Sequence, residues 1–143
     1  MKERFKLITE THLLIIKENK ILLLLRENTG YEDGKYSVVA GHVEQNENIK
    51  KAMSRESLEE ANLIIKEEDL DFVHVMNRKS DSERISFFFA PKRWEGEPQN
   101  MEPDKCSDLS WFPINALPDN MVAYVKKAIE YYLKNIQYSE FGW

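Results

Sequence analysis

The chain has 143 residues, of which 42% are hydrophobic and 31% charged, and it contains only five Gly and five Pro. This composition is typical of one globular domain and excludes a disordered chain. The formal net charge of −5 excludes the strongly basic surface with which many proteins bind nucleic-acid polymers.

A β-hairpin is predicted near the start of the chain. Residues 12–18 and 20–27 are β-branched or leucine-rich runs that meet at Asn19, which tolerates the positive φ of a tight turn. A polar, glycine-containing loop follows over residues 28–35. A short strand over residues 36–40 then leads into the next glycine.

A helix is predicted over residues 49–61. The side chain of Asn48 can cap its first turn, and Asn62 can adopt the left-handed conformation that ends a helix. Residues 70–78 and 84–91 then have the composition of two strands paired around a polar turn.

The last part of the chain predicts a strand over residues 108–114 and a C-terminal amphipathic helix. Apolar residues recur there at helical spacing: Met121, Val125, Ala128, Ile129, Tyr132, Leu133 and Ile136. The aromatic tail, residues 138–143, is expected to dock on the body of the protein or on a second subunit. This order of elements predicts an α/β (α+β) fold with a mixed sheet between helices.

Three glutamates of the first predicted helix form an acidic cluster. Glu56, Glu59 and Glu60 are spaced i, i+3 and i+4, so they share one face, and Arg55 reaches Glu59 at i+4. Such like charges repel unless a cation lies among them. Mg²⁺ prefers oxygen ligands and suits phosphate chemistry, so the cluster indicates a divalent metal site. A solvated, charged helix face is the alternative.

The spacing of this cluster resembles a known family signature. Residues 41–63, GHVEQNENIKKAMSRESLEEANL, resemble the nudix box, whose pattern is G, x5, E, x7, R, E, apolar, x, E, E, x, G, apolar. All five charged positions and the first glycine match. Ser57 replaces an apolar residue, and Asn62 replaces the second glycine, although asparagine can adopt the same left-handed turn.

The resemblance implies a role for each matching residue. Glu59 and Glu60 resemble the main metal ligands, and the Gly41 carbonyl resembles a backbone ligand. Glu56 resembles the third carboxylate, which either binds metal or serves as the catalytic base. Arg55 resembles the residue that orients these carboxylates.

Two acidic residues upstream complete the resemblance to the nudix box. Glu47 resembles a supporting residue that is held near Arg55 and the metal shell. Glu44 matches a glutamate that follows the glycine turn in many members of the family, and we assign it a supporting role as well.

A second stretch, residues 93–120, resembles the MutT-type branch, which includes nucleoside triphosphate pyrophosphatases. By that resemblance Glu102 is an additional metal-binding carboxylate, and an ordinary surface glutamate is the alternative. Asn120 lies near the position where such enzymes present an amide to the base, and a cap for the final helix is its alternative role.

Positive groups for the substrate phosphates must come from other parts of the chain. Arg26 at the end of a strand and Arg84 beside a hairpin turn are the candidates, since arginine can contact phosphate oxygens bidentately. Arg78 is a third candidate. A solvated strand-end charge is the alternative for all three arginines, and for Arg78 it is the favoured interpretation. His42 is the one histidine expected near the site, and the other two are assigned structural roles.

The resemblance implies an enzyme, a nudix pyrophosphohydrolase that depends on Mg²⁺, with Mn²⁺ as a substitute. The expected substrate is a nucleoside diphosphate linked to another group, first of all a (d)NTP that yields a nucleoside monophosphate and pyrophosphate. Hydrolysis of ADP-ribose, a nucleotide sugar or a dinucleotide is the alternative. A third possibility is a non-catalytic domain that binds nucleotides.

The sequence also gives expectations about partners and location. The single cysteine cannot form an internal disulfide, the N-terminal segment has no signal-peptide core, and no apolar run approaches the ~18 residues that cross a bilayer. We therefore expect one cytoplasmic domain over residues 1–143 that binds a small nucleotide and neither a membrane nor a nucleic-acid polymer. Whether it forms a homodimer stays open.

Overall fold

The computed structural model describes residues 2–143 of the chain, which contain two β-sheets and two α-helices. The helices are α1 (Ile49–Ala61) and α2 (Ala123–Leu133). The strands are β1 (Ile8–Leu13), β2 (Ile16–Lys17), β3 (Lys20–Arg26), β4 (Tyr36–Ser37), β5 (Ala40–His42), β6 (Leu70–Lys79), β7 (Glu83–Pro91), β8 (Cys106–Pro113) and β9 (Tyr138–Phe141).

The larger sheet has five strands in the order β5-β1-β7-β6-β9, and it is mixed because the β1–β7 and β6–β9 pairs are parallel. In the smaller sheet, β8 pairs with β3, which also pairs with β2 and β4, and all of these pairs are antiparallel. The predicted α+β class with a mixed sheet and two helices is confirmed, and the second sheet is an addition to it.

Strand β3 lies between two apolar cores. Leu22 and Leu24 belong to the core that includes Met53 of α1, whereas Ile21 and Leu23 belong to the core that includes Val125 of α2. Successive side chains of a strand point to opposite faces, so a continuous leucine-rich run is what a strand covered on both faces requires.

Helix α1 begins and ends where the sequence predicts. The Asn48 side chain accepts a hydrogen bond from the backbone N–H of Lys51 at 2.8 Å, and Asn62 takes the left-handed conformation at φ 59°. Ser57, which replaces the apolar residue of the box, is fully buried, and its Oγ donates to the Met53 carbonyl at 2.8 Å. The hydroxyl is therefore satisfied inside the helix.

Two predicted strands are divided in the structure. The run over residues 12–18 splits because β1 lies in the larger sheet and β2 in the smaller one, so the chain crosses between sheets after Leu13. The strand predicted over 36–40 likewise becomes β4 and β5, and Gly41 lies inside β5 rather than after a strand.

The C-terminal tail docks on the body of the protein. The predicted final helix ends at Leu133, and β9 then pairs with β6 as a sheet edge. The indole N–H of Trp143 donates to the Asn77 carbonyl at 3.0 Å. Among residues 2–143, no helix is long and apolar enough to span a membrane.

Candidate active site

Arg55 connects the acidic side chains at one end of the site. Its Nε and Nη2 donate to the two carboxylate oxygens of Glu47 at 3.1 and 2.7 Å, and Nη1 donates to Glu56 at 2.7 Å and to Glu59 at 3.3 Å. Nη2 also donates to the His42 carbonyl at 3.1 Å. The bidentate pair fixes the plane of the guanidinium group, and the Arg55 hydrogen bond is the main reason that the pKa of Glu47 falls to about 2.

Glu44 supports this arrangement through its backbone. Its N–H donates to the Glu47 carboxylate at 2.8 Å, whereas its own carboxylate is 68% exposed and lies 3.7 Å from Arg55. The two predicted supporting glutamates therefore differ, since Glu47 positions the arginine and Glu44 positions Glu47.

Glu56 and Glu60 form the buried part of the acidic cluster. Burial raises the carboxyl pKa of both residues, and in Glu60 the neighbouring charges of Glu56 and Glu102 raise it further. Glu59 differs, since its side chain is 55% exposed and pairs with Arg55. The structure thus brings Glu102, from the segment before β8, to the carboxylates of α1.

Gly41 lies directly against the Glu56 carboxyl group. It pairs with Thr11 in the register of β5 and β1, and a Cβ atom built on Gly41 would overlap the Cδ and Oε1 atoms of Glu56. Residue 41 is thus glycine because of a close approach, since its φ is not positive.

Replacing Gly41 by alanine is expected to displace the Glu56 carboxyl group and to lower kcat by roughly ten- to a hundredfold, because misplacing a reacting group by about 1 Å costs that much. The flexible Glu56 side chain can rotate away, so the free energy of unfolding should change by less than about 1 kcal/mol. Initial rates and urea unfolding measure the two effects. In a Glu56→Ala background the glycine change should have no further effect on unfolding, and unchanged activity of Gly41→Ala would contradict the prediction.

Two adjoining cavities meet at this point of the fold. The carboxylate cleft, of about 450 Å³, is lined by five of the predicted acidic residues: Glu44, Glu56, Glu59, Glu60 and Glu102. The second cavity has about 430 Å³ and is lined by residues of β1, β6 and the following hairpin. Arg26, Ala40, Gly41 and His42 line both cavities, so one continuous depression links them.

The acidic side chains of the carboxylate cleft fit a divalent cation by their chemistry. Carboxylates are hard oxygen donors of the kind that Mg²⁺ and Mn²⁺ bind, and a cation would relieve the repulsion between Glu56, Glu60 and Glu102. Within residues 2–143, no three His, Cys, Asp or Glu side chains are placed to hold a metal ion together, and Arg55 occupies the carboxylates of Glu56 and Glu59. These side chains fit an ion that takes its remaining ligands from water and from substrate oxygens.

The predicted phosphate-binding arginines both reach the depression. Arg26 lies where the two cavities meet, with its Nε donating to the Tyr31 carbonyl at 2.8 Å and its Nη2 to the Thr29 hydroxyl at 3.1 Å. Arg84 lines the second cavity and donates to the Glu10 carboxylate at 2.9 Å. Their roles in binding substrate stay predictions.

Asn120 lies apart from this depression. Its side-chain amide donates to the Gly34 carbonyl at 3.1 Å, and it is not among the residues of the described chain that line either cavity. The alternative role as a helix cap is wrong, because α2 is preceded by Val122 and has no side-chain cap.

The interpretation of Arg78 as a solvated charge is wrong. The residue is only 4% exposed, its Nη2 donates to Glu10 at 2.6 Å, and its guanidinium stacks 3.5 Å from the centroid of the Tyr124 ring. Glu10, which is 9% exposed, was not predicted because its partner lies 68 residues away in the sequence. The alternation of side chains along a strand could have predicted that Arg78 is buried, since it falls on the same inward face of β6 as His74 and Met76.

Known proteins share both the sequence pattern and the fold. Residues 9–132 match the family model described as NUDIX domain. A MutT NUDIX hydrolase from Burkholderia pseudomallei superimposes with a TM-score of 0.80 at 22% identity, over 88% of this chain and 98% of that one. The MutT protein from Bacillus halodurans gives 0.75 at 21% identity, over 94% of this chain and 90% of the other.

A larger protein also contains this fold. The bifunctional NMN adenylyltransferase/ADP ribose pyrophosphatase from Francisella tularensis, in complex with AMP and a manganese ion, gives a TM-score of 0.72 at 22% identity. The match covers 92% of this chain and 42% of that chain. At these identities the likeness establishes the shared fold.

Proposed function

Because the chain belongs to the NUDIX family and is therefore a hydrolase of phosphoric anhydrides acting on small nucleotides, we propose that its substrates are nucleoside triphosphates and its metal is Mg²⁺. The products would be a nucleoside monophosphate and pyrophosphate. The family assignment confirms the resemblance predicted from residues 41–63.

The observation that carries this proposal is the continuity of the two cavities. A substrate with its diphosphate bridge over the carboxylates of Glu56 and Glu60 would extend past Gly41 into the second cavity, whose volume of about 430 Å³ is sufficient for a nucleoside. Arg26 stands at the junction, where a guanidinium group can contact phosphate oxygens.

Glu59, Glu60 and Glu102 would hold the divalent ion, which when bound lowers the pKa of water and neutralises charge on phosphate oxygens. Arg55 holds the Glu56 carboxylate in place with a 2.7 Å hydrogen bond. Glu56, which is left free of the ion in this arrangement, would accept the proton of the attacking water. The water oxygen bonds to phosphorus, and the phosphoric anhydride bond breaks.

A substrate panel tests this proposal. Nucleoside triphosphates, ADP-ribose, a nucleotide sugar and a dinucleotide would be incubated with the protein and either Mg²⁺ or Mn²⁺, and the phosphate products identified. Pyrophosphate from the triphosphates is the expected result. Turnover of ADP-ribose alone, giving AMP and ribose phosphate, would favour the activity named for the Francisella neighbour. Binding without metal-stimulated turnover would indicate a non-catalytic domain.

A further inference from the structure

The second cavity contains a preorganised arginine. Arg78 is buried at its inner wall, between the Tyr124 ring on one side and the Glu10 carboxylate and Ser86 hydroxyl at its edge. Arg84 also donates to Glu10, so this buried carboxylate bridges two arginines. Such contacts hold the guanidinium plane in one orientation, and a fixed donor loses little entropy when it binds a ligand.

Part of the Arg78 guanidinium group has no protein partner. Of its five N–H donors, one on Nε is used by Ser86 at 3.0 Å and one on Nη2 by Glu10 at 2.6 Å. Nη1 makes no hydrogen bond within residues 2–143. It remains accessible to solvent. Nη1 and the second N–H of Nη2 therefore form a forked pair of donors without a partner in residues 2–143, on a side chain that lines the cavity.

We propose that Arg78 is the base-recognising residue of this protein, and that its free fork selects nucleobases with two adjacent acceptors on one edge. The inference rests on the proposed function, which puts the diphosphate bridge over the neighbouring carboxylates. Guanine offers such a pair in O6 and N7, and cytosine in O2 and N3. Adenine sets an amino donor beside N7, and uracil sets the N3–H donor beside each carbonyl.

The test measures kcat/KM with Mg²⁺ for GTP, CTP, ATP and UTP. The wild-type protein should favour GTP and CTP by roughly ten- to a hundredfold, the discrimination that a bidentate pair typically gives. The triphosphate of 7-deazaguanosine, which lacks the N7 acceptor, should lose most of the advantage of GTP. This comparison needs no variant and decides the proposal even if changes at Arg78 impair folding.

Arg78→Lys keeps the charge and removes the fork. We expect kcat/KM for GTP and CTP to fall roughly ten- to a hundredfold, mainly through KM, and the values for ATP and UTP to change less than about threefold. Arg93→Lys is the matched control, since the Arg93 side chain is 76% exposed and pairs only loosely with Asp69 at 3.3 Å. Thermal unfolding verifies that each variant is folded.

Two results would overturn the inference while leaving the proposed function intact. One is wild-type hydrolysis of all four triphosphates, and of the 7-deaza analogue, at rates within about threefold. The other is a uniform loss on all four substrates in Arg78→Lys, which would indicate a structural role. If no triphosphate is hydrolysed, the proposed function itself fails, and the inference fails with it.

Discussion

Glu60→Gln is expected to lower kcat by roughly a hundredfold or more while leaving the folded state at least as stable as the wild type. Glutamine keeps the shape of the side chain but removes the charge that would bind the ion. Burial, together with the charges of Glu56 and Glu102, raises the pKa of Glu60 well above its usual range.

The effect on stability follows from the sign of this pKa shift. A carboxyl group with a raised folded-state pKa is better accommodated protonated, so its contribution to stability is lost as the pH rises through the folded-state pKa. In metal-free buffer at neutral pH, the neutral glutamine should therefore raise the melting temperature or leave it unchanged. Mg²⁺ should stabilise the wild type more than the variant, because binding to the native state adds to its stability.

Kinetics with Mg²⁺ and thermal unfolding with EDTA measure the two effects. Glu68→Gln, a substitution of the same type at an exposed position, is the control and should behave as the wild type. Glu59→Gln tests the second predicted ligand, which is exposed and paired with Arg55. Near wild-type turnover by Glu60→Gln would show that the metal assignment is wrong.

The parts of the site that the sequence predicts are those determined by local spacing. The box lies within a single helix and the turns at its ends, so the positions of Glu56, Glu60 and Arg55 follow from helical geometry alone. Asn48 and Asn62 are predictable for the same reason, since caps depend on neighbours within a few residues.

The second cavity could not be predicted because it depends on long-range pairing. Arg78 contacts Glu10 only because β7 pairs with both β1 and β6 and brings two distant strands into one sheet. An isolated arginine near a turn is usually solvated, and that general expectation is wrong here because Arg78 still lies within β6, on its inward face. The division of residues 12–18 between two sheets could not be predicted for a similar reason, since an apolar run does not indicate which sheet each part of it joins.

The protein is expected to lose stability in mild acid because His12 is buried in its neutral form. Its ring is 1% exposed, between the Tyr124 hydroxyl at 2.8 Å and the Phe88 ring. Burial is the main cause that lowers its pKa from 6.5 to about 4, despite the opposing effect of the Glu10 carboxylate. The folded state therefore binds the proton less readily than the unfolded state.

The pH window follows from this sign. The contribution is complete above pH 6.5, the unfolded-state value, and is lost as the pH falls toward 4. Once the pH is below both values, the free energy of unfolding is lower by about 3 kcal/mol on account of His12. Burial lowers the pKa of His74 as well, so it acts in the same direction. Glu10 loses its contribution only at lower pH, below its unfolded-state value of 4.5, because burial, which alone would raise its pKa, is outweighed by His12 and Arg78, which bring it to about 2.

Urea unfolding of the wild type and of His12→Gln at several pH values between 7 and 5 isolates His12 through the difference in slope. Glu56 and Glu60, whose raised carboxyl pKa values act in the opposite direction, contribute equally to both proteins. His12→Gln, which can still hydrogen-bond to Tyr124 but does not titrate, should flatten the decline, and His74→Gln should flatten it less. An unaltered slope in His12→Gln would contradict the prediction, because the proton taken up on unfolding would then belong to another group.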